Sequence, residues 1–398
     1  MRGIRTLAPT LTAAATAGTL LLAGCAGAGG DPASQGHGPE GPQVTVTPAA
    51  GSGDAPLGAP VKAAVQGGTL LSVAVKDGDG AALPGHLTGG GTGWVSDRDV
   101  RPGTTYRVTS TATAGRGGGG ADGKKSFTAS FTTRKAPRTN KLTNAPAGGS
   151  TVGTGMPVSI LFDHPVDKAR RAAVEKTLKV TTKPRVEGSW GWVKDYGGKD
   201  RIDWRPKDPW PAGTKVSVRG ALGGLDSGAG GWFARDYDFD FTIGPDHKGV
   251  IDVPGHTLTL YDGDKKVDTL KGSAGSQETP TRGGVHTVRS KNASETMDSA
   301  TIGYGNQWSL PSKWVTHLTA SGTFLHSAPW NKQLGTANNS HGCFGMTEAD
   351  AKTAYDFLLI GSTVEVKGSS STEKTDVGNG LEDWQESWAQ WKRRSALT

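Results

Sequence analysis

Cysteine is scarce in this 398-residue chain, in which only Cys25 and Cys343 are present. A disulfide framework of the kind that holds small secreted domains together is therefore excluded. The sequence also lacks a C-x-x-C motif and a pair of histidines at H-x-x-x-H spacing, which are common signs of a zinc site. We expect neither a metal nor a cofactor.

Long hydrophobic runs and mixed basic and aromatic runs are missing as well. The net charge is +7 and 34% of the residues are hydrophobic. No Lys/Arg run is interleaved with aromatic residues, so we expect no binding to nucleic acid. Glycine is abundant, at 61 residues. This composition favours a β-rich chain with many turns over a helical bundle or an integral membrane protein.

The N-terminus predicts export. Arg2 and Arg5 precede an apolar run that is too short to span a membrane and ends in Leu-Ala-Gly-Cys at Cys25. Residues 1–24 are therefore predicted to be a signal peptide, and the ending resembles a bacterial lipobox, which implies lipid on Cys25. The alternative is a plain signal peptide with an incidental cysteine. We expect an extracytoplasmic protein, anchored by lipid to the outer face of the cell membrane and reaching into the cell wall.

The next segments predict a tether and two β domains. Residues 25–42 are rich in Gly, Ala, Ser and Pro and predict a flexible tether. Residues 43–136 contain short strands with period-two alternation between Gly/Pro turns. Residues 140–244 echo this plan, because WPAGTKVSVRG follows the pattern of RPGTTYRVTS. Regularly spaced short strands predict two sandwiches in tandem.

Residues 247–368 predict a third, mostly β domain with a single good helix. Thr347 can cap this helix, and Glu348 and Asp350 would complement its N-terminus. Gly361 would end it, and a strand follows. We therefore expect the polar loop that contains Cys343 to lie just ahead of a helix.

Residues 369–398 predict a tail that docks on the rest of the chain. Trp384, Trp388 and Trp391 recur at the spacing of one helical face. Tryptophan buries a large apolar area, so docking is the favoured interpretation. Stacking on a sugar is the alternative.

Cys343 lies in the stretch NNSHGCFGM, where a buried structural cysteine is not expected. A thiol attacks as thiolate and needs a nearby base, together with donors for the oxyanion that forms on an attacked carbonyl. The flanking glycines allow backbone N–H groups to approach that oxygen. A buried inert cysteine, or a metal site formed with histidines and a further ligand, remain the alternatives.

Five histidines are candidate bases for this thiol. His341 is only two residues from Cys343, which is an awkward geometry for proton transfer, whereas His326 ends the strand-like segment GTFLH. Sequence order alone does not decide among them. The candidates are His256, His286, His317, His326 and His341.

The stretch HSAPWNKQLGTANNSHGCFGM resembles the signature of the L,D-transpeptidases with a YkuD-type catalytic domain. Their pattern is a His, a spacer and then Ser-His-Gly-Cys. The segments MDSATIG, WVTHLTASGTFLHS and NGLEDWQESWAQW resemble the actinobacterial lipoprotein branch, which carries two immunoglobulin-like domains. The resemblance implies a mostly β fold, with two such sandwiches, a catalytic domain and a Trp-rich extension.

This resemblance also implies an activity and partners. The enzyme would be an acyltransferase that forms 3→3 cross-links between peptidoglycan stem peptides, through a thioester on the third residue of a donor tetrapeptide, with release of D-Ala. Carbapenems would be inhibitors, and we expect a monomer. The alternatives are an L,D-carboxypeptidase, a transferase that attaches protein to peptidoglycan, and a non-catalytic wall-binding lipoprotein.

The resemblance assigns residue roles as well. Cys343 would be the nucleophile and His326 the base, oriented by the backbone carbonyl of Ser327. Backbone N–H groups at His341, Gly342 and Cys343 would form the oxyanion hole.

Substrate contacts would come from Ser321 and Gly322, and the pocket lining from Met297 and Trp330. Gly345 stands where relatives often have Asn or Arg, so a side-chain contact to substrate would be missing.

Two further residues match positions in the lid of the relatives. Trp308 falls where relatives have a lid tyrosine, and Tyr304 is nearby. The lid would be shorter than in relatives.

Overall fold

The computed structural model describes residues 41–114, 123–299, 305 and 309–398. The predicted signal peptide, almost all of the predicted tether, Cys25, Tyr304 and Trp308 lie outside these residues. Within them, no helix has the length and apolar character needed to cross a membrane.

The first body of strands is a two-layer sandwich. One sheet has the order β1-β2-β5-β4 and the other β3-β6-β7. Alternate residues from both layers, such as Trp94 and Tyr106, meet in one core. The strands are β1 (Gln43–Thr47), β2 (Pro60–Gln66), β3 (Gly68–Asp77), β4 (Gly85–Thr88), β5 (Gly93–Asp99), β6 (Thr105–Ala114) and β7 (Lys124–Thr132).

The second sandwich has four-stranded sheets in the orders β10-β18-β15-β12 and β13-β14-β11-β9, with a small sheet β16-β17-β8. Phe239 and Phe241 point into its core, while Asp238 and Asp240 on the same strand are exposed. Helix α1 (Lys168–Thr177) was not predicted. The strands are β8 (Arg138–Thr139), β9 (Leu142–Ala145), β10 (Thr151–Val152), β11 (Val158–Phe162), β12 (Leu178–Lys183), β13 (Gly188–Lys194), β14 (Asp200–Pro206), β15 (Lys215–Gly220), β16 (Asp226–Gly228), β17 (Gly231–Trp232) and β18 (Tyr237–Ile243).

The third body is a nine-stranded sheet with the order β22-β27-β19-β20-β21-β26-β25-β24-β23. Helix α2 (Glu348–Phe357) is capped by Thr347, whose side chain accepts from the Asp350 N–H. Its buried face packs on the core beside Phe344. The strands are β19 (His247–Asp252), β20 (Thr257–Asp262), β21 (Lys265–Ser273), β22 (Gly284–Thr287), β23 (Ser290–Asp298), β24 (Ser309–His317), β25 (Phe324–Ser327), β26 (Phe344–Met346) and β27 (Thr363–Lys367).

The C-terminal tryptophans do not share one helix, because the chain leaves helical geometry at Glu386. A short 3-10 turn (Asp383–Gln385) precedes α3 (Trp388–Lys392), which is capped by Ser387. All three rings nevertheless surround the Arg205 guanidinium of the second sandwich, within 5.6 Å of each ring centroid. The predicted mostly β fold, with two immunoglobulin-like sandwiches ahead of a third β body, is confirmed.

Candidate active site

The loop before Cys343 is folded back on itself. The Ser340 hydroxyl donates to the carbonyl oxygen of Cys343 at 2.6 Å and accepts from the Gly342 N–H at 3.2 Å. Gly342 has φ +113°, a left-handed conformation that side chains disfavour. These constraints fix the thiol at the start of β26.

Strand pairing brings His326 beside this loop. β25 and β26 run parallel, and His326 is in register with Gly345. A Cβ at position 345 would lie 3.8 Å from His326 Nε2 and only 2.9 Å from the Ala328 Cβ. The glycine therefore allows the two strands and the imidazole to approach closely.

The His326 ring is held through its Nδ1 atom. Its Nδ1 lies 2.8 Å from the Ser327 carbonyl oxygen, and the Ser312 hydroxyl donates to the same oxygen at 2.7 Å. A carbonyl can only accept, so Nδ1 carries the proton and Nε2 is left as the basic nitrogen. His326 is only 5% exposed, which limits the ring to this orientation.

The half-buried Cys343 thiol donates to the Gly322 carbonyl oxygen, 3.2 Å from Sγ. Burial raises the pKa of this thiol to about 11, against a smaller opposing effect of the Phe324 backbone N–H. Burial likewise lowers the pKa of His326 to about 4, and the contact with the Ser327 carbonyl only partly offsets this. The resting pair is therefore a neutral thiol and a neutral imidazole.

Cavities open on two sides of the thiol. A cavity of about 580 Å³ is lined by His326 and Cys343. A smaller cavity of about 260 Å³ also reaches Cys343. Apart from Met297, Cys343 is the only one of the residues that the structure describes that lines both cavities.

The predicted substrate-contacting residues divide between these cavities. The larger one is bordered by Trp330, Gly345 and the exposed His341. The smaller one is bordered by Ser321 and Gly322. Met297, which is 8% exposed, borders both.

The other candidate bases are engaged elsewhere. His256 contacts the Asn338 side chain at 2.9 Å, and His286 is a fully buried partner of Glu382 at 2.8 Å. His317 borders the smaller cavity and pairs with Glu295 at 2.8 Å. Across the described part of the chain, no three His, Cys, Asp or Glu side chains cluster as a metal site would require.

Two family models match the chain. Residues 52–226 match a bacterial Ig domain, and residues 246–366 match the L,D-transpeptidase catalytic domain. L,D-transpeptidase 2 of Mycobacterium tuberculosis is 31% identical over 360 residues, which cover 89% of this chain and 85% of that protein. The chain belongs to the L,D-transpeptidase family.

A second curated relative agrees with this assignment. L,D-transpeptidase 5 of Mycobacterium tuberculosis is 31% identical, and the match covers 90% of this chain and 78% of that protein. A solved L,D-transpeptidase in complex with imipenem is 30% identical with a TM-score of 0.48, and covers 56% of this chain and 97% of that one. The matches to the catalytic-domain model and to the two curated relatives confirm the expected resemblance.

Two residues that support the site of this L,D-transpeptidase could not be found from its sequence. Ser312 on β24 contacts the Ser327 carbonyl, and Asn379 in the C-terminal tail contacts Ser321. Neither residue lies near the cysteine or histidine in the chain, and no local pattern marks them. Only the folded structure brings them to the site.

Proposed function

We propose that this L,D-transpeptidase cross-links peptidoglycan stem peptides through a thioester on Cys343. The observation that carries the proposal is the register of His326 beside the strand of Cys343, with a basic Nε2 and a half-buried thiol on one cavity. Family membership supplies the reaction class. The third residue of a donor tetrapeptide would be attacked, and a 3→3 cross-link would result.

The acylation step follows from the neutral resting pair. As Sγ attacks the carbonyl carbon of the third stem residue, its proton passes to His326 Nε2. The C–S bond forms, the C–N bond to the terminal D-Ala breaks, and the proton passes from Nε2 to the leaving amine. The Ser327 carbonyl stabilises the imidazolium that exists in between.

The second half-reaction regenerates the thiol. The side-chain amine of another stem's third residue attacks the thioester, and the C–N bond of the cross-link forms as the C–S bond breaks. His326 accepts the proton of the amine and returns it to the sulfur. Backbone N–H groups at His341, Gly342 and Cys343 are proposed as donors to the oxyanion in both steps. The Gly342 N–H would first have to exchange its contact with Ser340.

Contacts to the stem peptides are proposed for the residues that border the two cavities. Met297 and Trp330 offer apolar surface, and the Trp330 and His326 rings are stacked with centroids 6.1 Å apart. Ser321 offers a hydroxyl group to the smaller cavity, and Gly322 and Gly345 line the two cavities with backbone alone. Roles for Tyr304 and Trp308 as lid residues stay predictions.

The experiment uses purified disaccharide-tetrapeptide and the chain without residues 1–25, with wild type beside Cys343→Ala. We expect wild type alone to yield a dimer that is lighter than two substrates by one D-Ala. Tripeptide without dimer would instead indicate a carboxypeptidase. No change in substrate mass would contradict the proposal and favour a wall-binding role.

We also propose that lipid on Cys25 anchors the protein to the outer face of the membrane. The support is the Leu-Ala-Gly-Cys ending of the apolar N-terminal run. Cys25→Ala should move the protein from the membrane fraction to the soluble extracytoplasmic fraction. Retention of that variant in the membrane would contradict the anchor.

A further inference from the structure

We propose that Asn379, in the C-terminal tail, is a positioning residue for the active site. It would hold the turn formed by residues 319–323, whose Gly322 carbonyl contacts the Cys343 thiol. The inference rests on the proposed function of Cys343 as a nucleophile. It extends that function to a residue of the tail that comes 36 positions after the cysteine in the chain.

The 319–323 turn connects β24 to β25 and presents Gly322 to the thiol. Gly322 has φ +107°, a backbone conformation that glycine adopts readily and other residues disfavour. The direction of its carbonyl depends on this conformation. Within the turn, the Thr323 N–H donates to the Thr319 hydroxyl at 2.9 Å. The Ser321 N–H donates to the tail. Among the described residues, no acceptor within the turn takes this hydrogen bond.

Asn379 makes three hydrogen bonds to this turn. Its Oδ1 accepts from the Ser321 N–H at 2.8 Å, and its Nδ2 donates to the Ser321 hydroxyl at 2.8 Å. Its backbone carbonyl accepts from the Ala320 N–H at 3.2 Å. The side chain is 6% exposed, so water offers little replacement for these contacts.

The tail around Asn379 is itself fixed to the second sandwich. Arg201 on β14 donates to the carbonyls of Gly380 at 2.7 Å and Val377 at 3.1 Å. The tail also passes so close to β13 that a Cβ at Gly378 would lie 1.9 Å from the Lys194 carbonyl oxygen. Asn379 therefore links the turn to a segment of the tail that is hydrogen-bonded to the second sandwich.

The chemical consequence concerns the direction of the thiol. The Gly322 carbonyl accepts a hydrogen bond from the Cys343 thiol, so the turn defines where Sγ points at rest. Displacing a reacting group by about 1 Å can reduce a rate by about a hundredfold. Loss of the Asn379 contacts should therefore slow chemistry at the thiol more than it weakens initial binding.

The test compares four variants of the whole chain with wild type. Asn379→Ala and Asn379→Ser remove the contacts to Ser321. Asn379→Asp keeps them, because a carboxylate accepts from both the Ser321 N–H and its hydroxyl. Gln385→Ala is the control, since Gln385 donates to the Val285 carbonyl at 3.0 Å elsewhere on the third body. The serine variant replaces the alanine variant if the latter does not fold.

The readouts are the rate of Cys343 alkylation by iodoacetamide and the saturating rate of acylation by imipenem. We expect Asn379→Ala to lower both rates about tenfold or more, with a smaller change in the half-saturating imipenem concentration. Asn379→Asp and Gln385→Ala should stay close to wild type.

Two outcomes would overturn the positioning role. One is wild-type rates in Asn379→Ala and Asn379→Ser, and the other is an equal loss in Gln385→Ala. A wild-type enzyme that imipenem does not acylate would contradict the proposed function instead, and the iodoacetamide rates would still decide the role of Asn379.

Discussion

Cys343 donates its thiol hydrogen bond to the carbonyl oxygen of Gly322, at 3.2 Å, and His326 directs its own hydrogen bond to Ser327. The two groups thus share a cavity without forming an ion pair at rest. Because burial disfavours charge on both, the neutral pair is the stable state. Proton transfer is then expected to accompany attack on the substrate instead of preceding it.

The first prediction concerns pH. His326, with a pKa of about 4, stays able to accept a proton in mild acid, and Cys343, with a pKa of about 11, stays protonated in mild base. The rate of acylation by imipenem should therefore be constant from about pH 6 to pH 8. It should fall only as the pH approaches the His326 pKa of about 4. A histidine with the ordinary pKa of about 6.5 would already have lost half of its activity at about pH 6.5. Fluorescence-monitored acylation measures this. A bell-shaped dependence of the rate on pH between about pH 6 and pH 8 would contradict the neutral pair.

The second prediction concerns Ser312. Its hydroxyl is one of two donors to the Ser327 carbonyl, so Ser312→Ala should leave His326 less firmly oriented. Loss of one neutral hydrogen bond costs about 0.5–1.5 kcal/mol, which corresponds to a fall of about twofold to thirteenfold in the acylation rate. Ser294→Ala, at an exposed position on the neighbouring strand, is the matched control. Equal rates for the two variants would exclude an orienting role for Ser312.

The third prediction concerns Gly345. Gly345→Ala should lower the free energy of unfolding by about 1–3 kcal/mol, as overpacked cores do, because its Cβ would lie 2.9 Å from that of Ala328. The double variant with Ala328→Gly should recover part of this loss. Urea denaturation measures both. If Gly345→Ala is as stable as wild type, the strands can separate and close packing does not explain the glycine.

The fourth prediction concerns the tail. Trp391 is fully buried, and its indole N–H donates to the Ser189 carbonyl at 2.9 Å. Trp391→Ala should lower the free energy of unfolding by about 3–5 kcal/mol. Leu397→Ala, whose side chain is 55% exposed in the same tail, should change it by less than about 0.5 kcal/mol. Similar losses from both variants would show that the tail is not docked as described.

Local patterns predicted part of this molecule well. The cap at Thr347 could be predicted because capping signals act over a few residues. The break between Trp384 and Trp388 could not, because spacing alone does not reveal a chain that leaves helical geometry at Glu386.

Long-range contacts escaped prediction for a different reason. The pairing of His326 with Gly345 could be anticipated only through the family motif, since a parallel register is set by the whole sheet. The contact between Asn379 and Ser321 spans 58 residues, and that between Arg201 and Gly380 spans 179. Such contacts depend on how separate bodies pack, which no local periodicity encodes.

The most direct test of the central claim is the intact mass of the protein after incubation with imipenem. The strained carbonyl of the drug should acylate Cys343 in place of a stem peptide, so the wild-type mass should rise by one drug mass while Cys343→Ala stays unchanged. An unmodified wild type, or an equal adduct on both proteins, would contradict the assignment of Cys343 as the nucleophile.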